Sequence, residues 1–153
     1  MVAKSVWGPA IWYLFHTLSF KIKPMYFKEV KDELIDNFVS ICNNLPCPEC
    51  AEHARKELKH LDKSKITNKK ELCIYFINFH NKVNVRNKKK IFTFDEFVSK
   101  YSTSVTRNVI ANFFIVLSKS DHNLKLMTNS FQRSTSVLHL KKWLAVNASK
   151  FNP

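Results

Sequence analysis

The chain has 153 residues, 45% of them hydrophobic, enough for one domain with a buried core, and its 25 Lys+Arg against 12 Asp+Glu give a formal charge of +13. Its single glycine excludes phosphate-cradling loops of the G-x-G-x-x-G or G-x-x-x-x-G-K kind, each of which needs at least two. One Gly beside five Pro also argues against hairpin-rich β architecture, whose turns lean on glycine at positive φ, and for helices.

The first helix opens at Ser5-Val6-Trp7-Gly8-Pro9, where a proline near the first position loses no hydrogen bond. Ala10–Phe20 is apolar almost all round, which asks for burial on more than one side, with a second subunit as one candidate cover. Pro24 ends the connection, and a second helix runs from about Tyr26 to Leu45 on Phe27, Val30, Leu34, Phe38 and Ile41. Pro46 stops it, because the residue before a proline is pushed out of the α region. A third helix starts with Cys47 at the cap and Pro48 in the first turn, and continues to Leu61. Asn68-x-x-Glu71 is a capping box for a fourth, which carries Leu72, Tyr75, Phe76, Phe79, His80 and Val83 on one broad face until Asn87. After the basic run Arg86–Lys90, the box Thr93-Phe94-Asp95-Glu96 opens a short fifth helix to Tyr101.

In the last third, Val105–Ser118 reads as an amphipathic helix, Thr128–Ser136 as a Ser/Thr-rich loop, and Val137–Ala148 as a final short helix. The expected fold is all-α: a four-helix bundle with a short fifth helix and a C-terminal helical extension. No membrane span is expected, since the Val109–Leu117 segment carries Asn112 and falls far short of the ~20 residues a spanning helix needs. Val6–Phe20 is interrupted by Pro9 and His16, is preceded only by Lys4 and is followed by no small-residue cleavage site, so the chain is expected to be soluble and unprocessed.

The chemistry concentrates in three places. Cys47-Pro-Glu-Cys50 sits at a helix N-terminus, where exposed N–H groups and the helix dipole favour a thiolate. Two intervening residues let a disulfide close and reopen across one turn. The same pair could instead be half a zinc site, completed by His53 and His60 or Cys42. Trp12 and His16 lie one turn apart on the first helix, and His80 and Asn84 one turn apart on the fourth. Polar groups on apolar faces are costly to bury unless bonded, so either pair could simply join helices. Taken together the sets outline an aromatic pocket among helices one, three and four with a redox pair at its rim. A basic, zinc-stabilised module for nucleic acid remains the rival, motivated by the charge and by the clusters Lys56–Lys70 and Arg86–Lys90. Against it, lysines spread around helix faces are the usual solvated surface.

Trp7-Gly8-Pro9-Ala10-Ile11-Trp12-x-x-x-His16, Cys47-Pro-Glu-Cys50-Ala51-Glu52 and His80-Asn81-Lys82-Val83-Asn84 resemble, in order and spacing, the three signatures of Erv/ALR-type FAD-linked sulfhydryl oxidases. The W-G-P-A opening is similar to members encoded by large nucleocytoplasmic DNA viruses. The resemblance spans roughly Val6–Tyr101, so residues 1–104 are expected to form the FAD-binding oxidase domain and 105–153 an extension. It implies Cys47 and Cys50 as the catalytic disulfide, with Cys50 beside the flavin ring. It implies Trp12, His16, Tyr75, His80, Asn81, Val83, Asn84, Lys89 and Tyr101 as FAD-binding, with Tyr75 and Tyr101 standing where the family has tryptophans. No metal is expected.

The positions of a structural disulfide found in many members are Ile77 and Phe94 here, so packing would replace a cross-link. The family's separate shuttle cysteine pair is missing; Cys42 and Cys73 match no family position and are expected to be buried, inert thiols, with a bridge between them as the alternative. The implied reaction takes electrons from partner thiols through Cys47–Cys50 to FAD and then to O2, giving H2O2. A small dithiol protein is the expected donor and a homodimer the expected assembly. The host cytoplasm or the virion is the expected location, with the mitochondrial intermembrane space as the other family home.

Overall fold

The computed structural model describes residues 2–118 and 127–153, and among them the chain forms seven helices. These are α1 (Lys4–Lys21), α2 (Phe27–Asn43), α3 (Pro48–Leu58), α4 (Lys69–Arg86), α5 (Phe94–Tyr101), α6 (Thr106–Leu117) and α7 (Met127–Asn147). The expectation of an all-α fold holds: the described residues contain no strand, only one antiparallel bridge between Ile22 and Phe151. That bridge, with Lys23 N–H on the Lys150 carbonyl at 2.9 Å and Asn152 N–H on the Lys21 carbonyl at 2.7 Å, clips the end of the chain to the end of α1.

Caps fix the starts of the helices that build the site. Asn68 Oδ1 accepts the Glu71 N–H at 2.8 Å, and the Glu71 carboxylate turns back to the Thr67 N–H at 2.7 Å. Thr93 Oγ1 accepts the Glu96 N–H at 3.2 Å at the start of α5. Helix α1 begins earlier than the Ser5–Pro9 motif implies, so Pro9 lies inside it. The Ser5 carbonyl that Pro9 leaves without an N–H belongs to an exposed residue and can turn to water. Helices α2 and α3 end at Asn43 and Leu58, short of the expected Leu45 and Leu61. Asn44 finishes α2 by donating its amide to the Ser40 carbonyl at 2.8 Å.

The core runs through Leu14, Phe15 and Leu18 of α1, Leu34, Ile35 and Phe38 of α2, Leu72 and Phe76 of α4, Phe113 of α6 and Leu140 of α7, all fully buried. A smaller cluster of Cys73, Ile77, Phe97 and Tyr101 ties α4 to α5, and Phe94 packs its ring on Phe97 at 5.9 Å. Apolar packing therefore joins the two helices through Ile77, whereas the half-exposed Phe94 meets Phe97 of its own helix. Helix α1, apolar all round, is central: α4 and α5 lie against it and α6 covers its remaining flank. Much of the cover that this helix asks for comes from the same chain.

The expected loop at Thr128–Ser136 is a misreading; the segment lies within α7. Ser/Thr richness suggested a solvated turn, but here it supplies a polar seam against α2. Ser136 Oγ meets Ser40 Oγ at 2.7 Å and the Asn44 amide at 3.2 Å, and Arg133 donates to the Asn44 carbonyl at 3.3 Å. Further along, His139 bonds Asn37 at 3.1 Å and the Trp143 indole N–H donates to Glu33. Leu140 is 0% exposed in the middle of this seam, whereas Leu138 on the opposite face is 51% exposed. Leu140→Ala is expected to cost about 2–5 kcal/mol of unfolding free energy, and Leu138→Ala under about 0.5 kcal/mol, by denaturant titration. Equal small losses would mean that α7 is not part of the core.

Candidate active site

Cys47 and Cys50 form a disulfide across the first turn of α3, with Cα atoms 5.2 Å apart. Pro48 at the start of the helix needs no donor, and Cys47 itself is the N-cap: its Sγ accepts the Cys50 N–H at 3.2 Å. The two sulfurs face different surroundings. Cys47 is half-buried and flanked by the exposed Pro48 and Glu49, whereas Cys50 is buried and lines a cavity of about 540 Å³.

That cavity lies among α1, α2, α3, α4 and the end of α5. Trp12, Phe38, Phe79 and Tyr101 supply aromatic walls, and His80 stacks on Trp12 with centroids 4.2 Å apart and planes 6° from parallel. Asn84, only 8% exposed, lines the cavity, and its side chain has no hydrogen-bond partner among the described residues. A polar group buried to that degree asks for a partner, here one inside the cavity. Gly8 also lines it; a Cβ there would touch no protein atom within 4 Å, so the missing side chain leaves room within the ligand space. Lys4, Lys82, Arg86, Lys89 and Lys100 stand around the cavity against one carboxylate, Glu57, which pairs with Lys82 at 2.8 Å. A flat ligand bearing phosphates fits this chemistry: aromatic faces for a ring system, an unpartnered amide, and an excess of cations.

Of the residues expected to bind FAD, Trp12, His80, Val83, Asn84, Lys89 and Tyr101 line this cavity with Cys50. The backbone after α4 places Lys89. Lys88 adopts φ 55°, the left-handed region, and the chain reverses with Lys88 N–H on the Val85 carbonyl at 3.1 Å and Lys89 N–H on the Asn84 carbonyl at 2.8 Å. This is a Schellman ending with lysine where glycine would be easier. Three expected residues do not reach the cavity. Tyr75 and Asn81 border a neighbouring cleft instead. Asn81 takes the Phe92 N–H at 3.1 Å and donates to the Phe92 carbonyl at 2.9 Å, so it ties the 88–93 connection down. His16 is 0% exposed and sits behind His80, 2.9 Å from its Nδ1.

The structure adds cavity residues that the sequence reading did not select: Lys4, Gly8, Cys42, Arg86 and Lys100. Gly8 carried a usable signal, since the sole glycine of a chain placed within a helix costs stability unless its bareness is used. Cys42 and Cys73 are free and buried, and burial pushes both thiols up in pKa, so neither is poised as a nucleophile. Among the described residues no group of three or more His, Cys, Asp or Glu is placed to hold a metal ion. His53 lies 3.6 Å from Glu49, and the zinc alternative has no ligand set among the described residues. No described helix is long and apolar enough to cross a membrane.

A model of the Erv1 / Alr family matches residues 9–102. A protein of African swine fever virus (isolate Pig/Kenya/KEN-50/1950) described as an FAD-linked sulfhydryl oxidase is 29% identical over 105 residues, 67% of this chain and 86% of its own length. The same description and identity hold for the counterpart in the Tick/Malawi/Lil 20-1/1983 isolate. A protein of Invertebrate iridescent virus 6 is 31% identical over 88 residues, 53% of this chain and 78% of its own length. No solved structure matches the chain.

Electrostatics in the cavity wall make a pH prediction. Burial, then the charges of Lys100 and Lys89, lower the pKa of His80 to about 4. Burial, then His80 and Lys100, lower that of His16 as well. Both imidazoles are neutral at pH 7, while the unfolded chain protonates histidine near 6.5. The folded state therefore binds fewer protons below that value. Their contribution to stability is complete above about pH 6.5 and is lost as the pH falls through it towards the lowered folded values. An NMR titration of His80 is expected to show no protonation until well below pH 6; a midpoint near 6.5 would contradict the burial described here.

Proposed function

The chain belongs to the Erv1 / Alr family, and on that footing we propose that it is an FAD-linked sulfhydryl oxidase whose catalytic pair is Cys47–Cys50. The observation that supports this best is the placement of one disulfide between two environments. Cys47 is reachable from outside, and Cys50 belongs to the wall of the aromatic, cation-bordered cavity.

The chain's own residues divide the work. A partner thiolate attacks Cys47 Sγ, the S–S bond breaks, and Cys50 leaves as a thiolate facing the cavity. A second partner thiol then attacks the partner's own sulfur in the mixed disulfide. Cys47 leaves as a thiolate, and the Cys50 N–H at 3.2 Å and the start of α3 stabilise that charge. The partner departs with a disulfide and the chain holds a dithiol. Bound flavin would take two electrons from that dithiol and hand them to O2, so that two partner thiols and O2 give one disulfide and H2O2. Trp12 and Tyr101 hold the ring system, His80 and Asn84 offer polar contacts, and Lys89 with Arg86, Lys100 and Lys4 balances the phosphates. In this reading His16 and Asn81 act behind the wall, and Tyr75 packs beside Phe76 and Phe79.

Among the described residues, all that line the cavity lie between Lys4 and Tyr101, which supports residues 1–104 as the oxidase proper, with 105–153 as the cover of α1 and α2. The direct electron donor is a separate small dithiol protein, since the free thiols Cys42 and Cys73 are buried. Pairing of two chains would use the outer faces of α6 and α7, where Ile115, Phe131, Leu138 and Val146 are exposed, because α6 covers the flank of α1. The viral relatives favour work in an infected cell's cytoplasm or in the virion.

The purified full chain is expected to be yellow with a flavin spectrum and to consume O2 in the presence of a dithiol. Cys50→Ala is expected to stay yellow while oxidation falls to the uncatalysed background. A colourless wild-type protein, or a Cys50→Ala variant that oxidises dithiols normally, would overturn the proposal.

A further inference from the structure

We infer that His16, sealed behind the cavity wall, is a positioning residue that fixes the proton on His80, so that His80 presents an Nε2–H donor to an acceptor atom of the bound ligand. The inference rests on the proposed flavin site only for the identity of that ligand. The proton arrangement follows from the protein alone.

His16 is 0% exposed, and its Nε2 lies 2.9 Å from His80 Nδ1. The rings of Trp12, Phe92, Phe97 and Tyr101 surround it with centroids 5.5, 5.6, 5.4 and 5.0 Å away. Its second nitrogen, Nδ1, is buried with no hydrogen-bond partner. Both imidazoles are held neutral, so each ring carries one proton and the shared bond contains one. Only two arrangements satisfy this.

In the first, His16 donates from Nε2. Its orphaned Nδ1 is then a bare lone pair, and His80, accepting at Nδ1, carries its own proton on Nε2. In the second, His80 donates from Nδ1. Now His16 must carry its proton on the orphaned Nδ1, and His80 Nε2 is a bare acceptor. The two differ in what is left unsatisfied in the apolar enclosure. A buried N–H with no acceptor is the rarer and more costly defect; an under-used acceptor is tolerated more often. The first arrangement also puts both rings in the Nε2–H form, the more common tautomer of neutral histidine in water. The orphaned nitrogen of His16 therefore selects the tautomer of a different residue.

The consequence reaches the cavity. His80 Nε2 has no protein partner among the described residues, and its ring, pinned flat on Trp12, lines the cavity. With its proton placed there, His80 is a donor of fixed direction that suits a phosphate oxygen, a carbonyl oxygen or an unprotonated ring nitrogen. It refuses a ligand group that can only donate. His16 touches no ligand, yet it decides which side of the hydrogen bond His80 takes.

The test is the tautomer itself, read from the imidazole nitrogen shifts of the 15N-labelled full chain as purified. The expected spectrum shows His80 Nδ1 in the range of a bare nitrogen and Nε2 in that of a protonated one. His16→Phe keeps a ring but removes the donor. It is expected to leave His80 a mixture of tautomers and to weaken retention of FAD roughly tenfold, about the worth of one neutral hydrogen bond. His16→Gln, whose amide can donate to the same nitrogen, is expected to restore both. A wild-type His80 protonated on Nδ1 would overturn the inference even in a yellow, active protein. So would a His16→Phe variant whose His80 shifts are unchanged. A colourless chain with the expected His80 shifts would instead count against the flavin reading alone.

Discussion

Helix α1 has to be buried on every side, and the rest of the molecule follows from that requirement. An amphipathic helix can lie on a surface; a helix apolar around its whole circumference cannot. The chain meets the requirement asymmetrically. On one flank α6 packs closely and the end of the chain clips onto the last turn of α1. On the other, α4 and α5 approach with a cavity left between them and α1, and the same apolar helix that demands cover there presents Trp12 and Gly8 to the open space. Removing α6 would expose the closed flank, which is why the C-terminal third belongs to the packing of the first helix although none of its described residues lines the cavity.

A second constraint is the division of the Cys47–Cys50 bond between solvent and interior. In the proposed reaction, a disulfide buried at both ends could not meet a protein partner, and one exposed at both ends could not pass electrons inward. Placing the pair across a helix N-terminus resolves this, because the cap residue stays outside the helix while the residue three positions on is turned into the bundle. The other two cysteines are treated in the opposite way: both are buried, with thiols held protonated by the cost of charging them. Thiol chemistry is thereby confined to one pair among four cysteines.

Much of this arrangement could be read in the amino-acid order, because it is written in local rules. The caps at Cys47, Asn68 and Thr93 depend on residues three positions apart, and each starts its helix where the spacing says it should. Trp12, His80 and Asn84 were legible as a set because polar and aromatic groups share apolar faces at helical intervals. What resisted reading depends on distant partners. The Ser/Thr-rich start of α7 has the composition of a loop, and it is helical because Ser40, Asn44 and the Asn44 carbonyl meet its polar face from nearly a hundred residues away. His16 and Asn81 stand one residue or one turn from cavity residues yet point elsewhere, one into the wall and one towards Phe92. Helical spacing assigns a face and leaves open which neighbour that face meets. The all-round apolar Ala10–Phe20 asks for cover without naming α6 as its source, since an apolar surface carries no label for its partner.

The central claim is that a two-electron disulfide and a two-electron cofactor act in series within one chain. Anaerobic titration with a dithiol, followed by flavin absorbance, tests it directly. The account predicts that full bleaching takes two dithiol equivalents per chain, one for Cys47–Cys50 and one for the flavin, and that Cys50→Ala resists bleaching at the same dithiol concentration. Full bleaching of the variant at the wild-type rate would mean that electrons reach the cofactor without the disulfide, and would contradict it.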